Sequence, residues 1–176
     1  MSPVLSVLVH NKPGVLHRIT ALFMRKGFNI QSLTVGITES PDVSRMTLVM
    51  SEMDEAALEQ VMKQLHKQID VLKVTDLTEE PMVARELVLI QVNSPVQQRS
   101  IIHALIEPFR ANIIDVARDT VTIQVTGDTN KVEALIALLR PYGIRELART
   151  GLTALPRDSV LGSDARRVSE GQVLPI

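Results

Sequence analysis

Val4 to Val9 is a short, nearly unbroken apolar run, the pattern of a buried strand, and it closes at His10-Asn11-Lys12-Pro13-Gly14. From there the period changes. Val15, Leu16, Ile19, Leu22 and Phe23 recur at helical spacing, with Pro13 suited to a first helical position and Gly27 to the stop. Leu33, Val35 and Ile37 alternate as a half-buried strand does. After a turn at Glu39-Ser40-Pro41-Asp42, Met46, Leu48 and Met50 alternate again, which predicts a hairpin. Asp54 is placed to cap a second helix carrying Leu58, Val61, Met62 and Leu65 on one face, and Ile69 to Leu77 reads as a fourth strand. The order β-α-β-β-α-β is that of the split βαβ, or ferredoxin-like, unit.

The same order then recurs. Leu87 to Val92 reads as a strand, Ser94-Pro95 as a cap and first turn, and Ile101, Ile102, Leu105 and Ile106 as a helical stripe ended by Pro108. Ile113 to Ala117, a turn near Arg118-Asp119, and alternating Val121, Ile123 and Val125 predict a second hairpin. Gly127-Asp128 leads into a helix with Val132, Leu135, Ile136 and Leu139, and Pro141-Tyr142-Gly143 stops it before a last strand from Ile144. An offset of 82 lays Leu5 on Leu87, Asn11 on Asn93, Pro13 on Pro95 and Ile19 on Ile101; one further residue of slip lays Asn29 on Asn112 and Ile30 on Ile113. Identities and element order together point to a duplication. The expected architecture is α+β, with two tandem ferredoxin-like βαββαβ units at 1–78 and 82–157 and a linker at 79–81. A polar tail at 158–176, with no sustained period, is expected to be mobile.

Composition narrows what such a chain can do. Phe23, Phe28, Phe109 and Tyr142 are the whole aromatic inventory, so the cores are aliphatic and base-stacking platforms are excluded. Nineteen basic residues face twenty acidic ones, leaving no electrostatic footprint for nucleic acid or an anionic membrane. Cysteine is absent, which removes disulfides, thiolate metal sites and thiol nucleophiles. No secretory leader pattern opens the chain, and no apolar run nears the ~20 residues of a membrane span, so a soluble, cytoplasmic protein is expected. The glycines are too scattered for a dinucleotide fingerprint or a P-loop, and the four histidines lack metal-ligand spacing. No catalytic or metal-binding residue is assigned.

Chemistry concentrates at one corner, Asn11-Lys12-Pro13-Gly14-Val15-Leu16, where a strand meets a helix start. Such a start exposes backbone N–H groups and a partial positive charge that favour a carboxylate. Gly14 lets a ligand approach the backbone, and Asn11 brings an amide with both donors and acceptors. A free amino acid offers the matching carboxylate and ammonium. A helix-capping Asn11 and a turn-easing Gly14 account for the same residues without a ligand. Asn29 opens the second strand, where it can reach a ligand or bond local backbone. That strand is expected at the sheet edge, so Ile30 to Ile37 forms a long uncharged template for association. Pairing with the same edge of a second copy would bring each Asn11–Leu16 corner near the neighbour's second strand, which predicts a homodimer with shared pockets.

Several segments resemble the regulatory (small) subunits of acetolactate synthase. They include Leu5-Ser-Val-Leu-Val, Asn11-x-x-Gly14-Val-Leu16, Gly27-Phe-Asn-Ile-Gln-Ser-Leu-Thr-Val-Gly36 and Ser44-Arg-Met-Thr47. Lys63-Gln-Leu-His-Lys67, Asp70-Val-Leu-Lys-Val74, Arg85-Glu-Leu87, Ile113-Ile-Asp-Val116 and Arg149-Thr-Gly151 continue the likeness in colinear order from about residue 3 to 157. The resemblance implies that the first unit is an ACT domain, an amino-acid-sensing module. It implies a non-catalytic chain that activates a separate large catalytic subunit and transmits feedback inhibition, usually by valine, in branched-chain amino acid biosynthesis. It implies no cofactor in this chain, with thiamine diphosphate, Mg and FAD in the large subunit. Matched residue by residue, Asn11, Gly14 and Asn29 fall on the family's effector-binding positions, with Val15, Leu16 and Ile30 beside them. At the offset of 82 the second unit has Val96 for Gly14 and Gln97-Gln98 for Val15-Leu16, so its corner is not expected to bind the effector.

Two readings compete with a regulatory subunit. A free-standing ACT-type amino-acid sensor would act on transcription or on another enzyme, but the chain lacks a basic helix-turn-helix segment. A small ferredoxin-like phosphatase would hold phosphate with an Arg at the first corner. Here that corner carries Lys12 and, a turn later, Arg18, without the surrounding pattern.

Overall fold

The computed structural model describes residues 2–157; the tail expected to be mobile lies outside the described residues. In the first unit β1 (Val4–His10), α1 (Val15–Lys26), β2 (Ile30–Ile37), β3 (Val43–Met50), α2 (Glu55–His66) and β4 (Val71–Asp76) follow one another as expected. Every neighbouring pair is antiparallel, in the order β2-β3-β1-β4, which leaves β2 on an edge. Alternation sends Leu5, Val7 and Val9 of β1 and Met46, Leu48 and Met50 of β3 to one face, where they meet Ile19, Leu22 and Phe23 of α1 and Val61 and Leu65 of α2. Each such side chain contributes roughly 1.5–3 kcal/mol on burial, so packing rather than helix propensity holds α1 and α2 in place.

The second unit runs β5 (Met82–Asn93), α3 (Arg99–Ile106), β6 (Asn112–Val116), β7 (Thr120–Gly127), α4 (Thr129–Leu139), β8 (Ile144–Arg149) and β9 (Thr153–Pro156). Its sheet order is β6-β7-β5-β8, and β9 pairs with the first residues of β5. Val88, Ile90 and Val92 take the places of Leu5, Val7 and Val9, with Ile102, Ile106, Val132 and Leu135 covering them. Asp54 and Asp128 cap α2 and α4, accepting the N–H of Ala57 at 2.7 Å and of Lys131 at 2.9 Å. Among the described residues no helix is long and apolar enough to cross a membrane.

Four expectations are corrected. Pro13 does not start α1; the helix begins at Val15 behind Gly14, whose φ of +83° is a left-handed conformation that glycine adopts freely. Ile69 stands outside β4, in a turn closed by the Val71 N–H on the Gln68 carbonyl. Ser94 does not cap α3: its side chain is buried with Oγ unbonded, and a 3₁₀ turn at Val96–Gln98 precedes the helix. From β1 through α1 the units correspond at an offset of 83, since core-facing Leu5, Val7 and Val9 match Val88, Ile90 and Val92, and Ile19 and Phe23 match Ile102 and Ile106; at β3 and β7 the offset falls to 77, where Met46 matches Ile123. The main chain agrees, with Asn11 N–H donating to the Asp42 carbonyl as Ser94 N–H donates to that of Asp119. An offset of 82 would set Leu5 on Leu87, on the wrong face of its strand.

The open face of the first sheet is covered by the second unit. Val4, Leu77 and Ala154 are buried together, with Val49, Met82, Ala84 and Leu152 against them. The start of β5 and the short β9 lie there as a two-stranded extension.

Candidate functional site

β1 delivers the chain to the first corner at His10, whose N–H donates to the Asp70 carbonyl. Asn11 then turns its amide group onto the β2–β3 turn: Nδ2 donates to the Pro41 carbonyl at 2.9 Å. It does not cap α1, where no side chain caps the helix. Its Oδ1 receives no hydrogen bond from the described residues. The Val15 N–H donates to the Lys12 carbonyl at 3.3 Å, whereas the amides of Gly14 and Leu16 take no acceptor among the described residues. The first turn of α1 carries no acidic side chain, so no residue of the helix itself offsets its positive end at Gly14. Val15 turns its side chain into the core, which limits it to main-chain contacts, while Leu16 is exposed beside the corner.

Asn29 and Ile30 sit elsewhere. The Asn29 Nδ2 donates to Ser51 Oγ at 3.0 Å and its carbonyl accepts the Ser51 N–H, at the end of β3 opposite to Asp42. Ile30 packs against the core opposite Met50. The length of β3, about 24 Å at ~3.4 Å per residue, thus separates Asn29 from Asn11 within one chain. The structure brings together Asn11, Gly14, Val15 and Leu16, and separately Asn29 and Ile30.

One pair at the corner escaped the reading of the sequence. Arg18 lies one turn after Gly14, and its Nε and Nη2 both donate to Asp70 Oδ2, at 2.9 and 2.5 Å. Its Nη1 lies 3.1 Å from where a Cβ on Gly14 would stand. The spacing from Gly14 to Arg18 was the available signal, because residues four apart share a helix face.

Two family models match the chain: an AHAS small subunit-like ACT domain at residues 5–73 and the small subunit of acetolactate synthase at 85–158. The acetolactate synthase small subunit of Bacillus subtilis is 54% identical over 157 residues, covering 89% of this chain and 91% of that one. The chain belongs to the acetolactate synthase small-subunit family. A probable small subunit from Archaeoglobus fulgidus is 55% identical over 157 residues, covering 89% of this chain and 98% of its own. The crystal structure of the Thermotoga maritima small subunit superimposes with a TM-score of 0.81 at 43% identity, over 91% of this chain and 99% of that one. The family's tandem ferredoxin-like architecture is therefore the one observed here. The two corners of this family member are not equivalent. At the structural offset of 83, Ser94 stands for Asn11 and Gln97 for Gly14, so the second unit lacks both the amide and the glycine.

Proposed function

We propose that this chain is the regulatory, non-catalytic subunit of acetolactate synthase, which activates a large catalytic subunit and carries feedback by valine or another branched-chain amino acid. The observation that carries the effector half of this reading is the placement of Asn11 and Asn29. β1 and β2 both run antiparallel to β3, so Asn11 at the end of β1 and Asn29 at the start of β2 lie at opposite ends of one sheet. Pairing two β2 edges antiparallel about a two-fold axis reverses one sheet and puts the partner copy's Asn29 at the end where Asn11 lies. Exposed Val35 and Ile37 on β2 and Leu16 and Met24 on α1 offer the apolar area that such a dimer would cover.

The ligand chemistry follows from the same groups. The amides of Gly14 and Leu16 suit a carboxylate at the helix start. The free Oδ1 atoms of Asn11 and of the second copy's Asn29 suit an ammonium. Leu16 and the second copy's Ile30 bound the space for a branched aliphatic side chain. Thiamine diphosphate, Mg and FAD belong to the large subunit in this reading, and the complex works in the cytoplasm.

The test is reconstitution with the large subunit and measurement of pyruvate turnover. The chain alone forms no acetolactate, its addition raises the large subunit's turnover, and valine lowers the raised rate. Turnover that the added chain leaves unchanged would overturn the reading.

A further inference from the structure

β2 has two faces and serves a different neighbour on each. Alternation sends Leu33, Val35 and Ile37 toward the helices and the proposed dimer edge, and Ser32 and Thr34 to the opposite face. There the two hydroxyls hold both main-chain groups of Leu152: its N–H donates to Ser32 Oγ at 3.0 Å, and Thr34 Oγ1 donates to its carbonyl at 3.0 Å. Gly151, at φ +85°, lies so close to Ser32 Oγ that a Cβ there would overlap it. Thr153 Oγ1 donates to Thr34 Oγ1 at 3.3 Å, extending the contact by one residue.

The same stretch of chain is fastened to the second unit. The Thr150 N–H donates to the Leu87 carbonyl at 3.0 Å, and the Leu87 N–H returns a bond to Thr150 Oγ1 at 3.1 Å. Arg149 grips the buried Glu86 carboxylate through Nε at 3.1 Å and Nη2 at 2.8 Å, and reaches Glu133 on α4 at 2.9 Å. Hydrogen bonding to Glu86 raises the Arg149 pKa; burial works against this, and Glu133 adds to it. A cleft of about 360 Å³ opens beside these contacts, and the next residues continue onto the first sheet, where the Ala154 N–H donates to Thr47 Oγ1 at 3.4 Å.

We propose that the Ser32–Leu152–Thr34 contact is the coupling element through which the second unit responds to occupancy at the β2 edge. The proposal rests on the effector assignment above. A ligand that draws two β2 strands together acts on the strand whose other face holds Leu152. A shift of that strand moves Leu152, and the fastening of 149–150 to β5 and α4 passes the shift on as a rigid displacement. Allosteric coupling changes affinity by roughly 5–150-fold, a range that two hydrogen bonds can set.

The test is the double variant Ser32→Ala, Thr34→Val, which removes both hydroxyls, beside Thr34→Ser alone, which keeps a donor. Valine is the probe, with calorimetry on the intact subunit and inhibition of the reconstituted enzyme as readouts. The expected double variant binds valine within about threefold of wild type and still activates, yet needs at least about tenfold more valine for half-inhibition; Thr34→Ser behaves as wild type. Wild-type inhibition in the double variant overturns the proposal. Joint loss of binding and inhibition also overturns it, because the hydroxyls would then belong to the pocket. If the double variant fails to fold, Gly151→Ala decides, since its Cβ pushes on Ser32 and must give the same separation of binding from inhibition. Wild-type subunit that takes up none of valine, leucine and isoleucine overturns the effector reading itself, and that failure is recognised because it precedes any substitution.

Discussion

Gly14 answers two demands at one position. Its φ of +83° closes the turn that lets α1 begin at Val15, and its missing Cβ leaves open the space beneath Arg18 Nη1. Replacing it by Asp sets a carboxylate where the effector's carboxylate is proposed to lie. Two like charges ~4 Å apart cost up to ~4 kcal/mol at an effective dielectric of ~20. Arg18 and the ligand's own ammonium reduce that figure, but half of it still lowers affinity by more than about tenfold. Gly14→Asp is therefore expected to lose valine binding by calorimetry and feedback in the reconstituted enzyme while still activating the large subunit. A folded, activating variant inhibited at the wild-type valine concentration would show that this corner is not the effector site.

β2 is the element on which the dimer is proposed to depend. An exposed edge strand with apolar side chains associates unless something blocks it, and Val35 lies well along that edge, 48% exposed. Val35→Asp would set a carboxylate on each copy within the apolar surface that the pairing is proposed to cover. Light scattering over a concentration series should show the dimer dissociating at roughly tenfold higher protein concentration or more, with valine affinity falling in parallel. A stable monomer that keeps full valine affinity would contradict the shared pocket. Period was what made these elements readable: Leu33, Val35 and Ile37 alternate, α1 repeats every three to four residues, and both survive in the structure. Elements without a period were missed. β9 is four residues long and finds its partner in the first residues of β5, far away in sequence, so nothing local marks it. The offset between units failed for another reason. Matching Asn11 to Asn93 weighs side-chain identity, whereas the fold repeats burial, and Asn93 stands in the place of His10. The candidate corner was legible as residue types, Asn11 and Gly14 at a strand-to-helix turn; that Asn11 and Asn29 fall at opposite ends of a sheet depends on strand order, which only topology supplies.

At the scale of the whole chain, two small cores meet at a seam, and that seam decides whether the units behave as one. Leu77 is fully buried there against Val4 and Ala154, and its N–H donates to the Val4 carbonyl at 2.8 Å. Leu77→Ala keeps that main-chain bond and removes only side-chain packing, at a cost of about 2–5 kcal/mol for a Leu→Ala change in a core. The loss should register in both units, because β5 and β9 bring residues of the second onto the sheet of the first. The chain contains its own reporter: Tyr142 is the single tyrosine, there is no tryptophan, and Tyr142 packs on the second core. Tyrosine fluorescence therefore follows the second unit, while far-ultraviolet circular dichroism follows both. With urea at fixed protein concentration, the wild-type transitions should coincide, as expected of one cooperative unit. In Leu77→Ala both should move to lower urea, and the fluorescence transition should separate from the dichroism transition as the seam loosens. Wild-type transitions that are already separate would mean that the seam does not couple the units, and the burial of Leu77 would then serve the first unit alone.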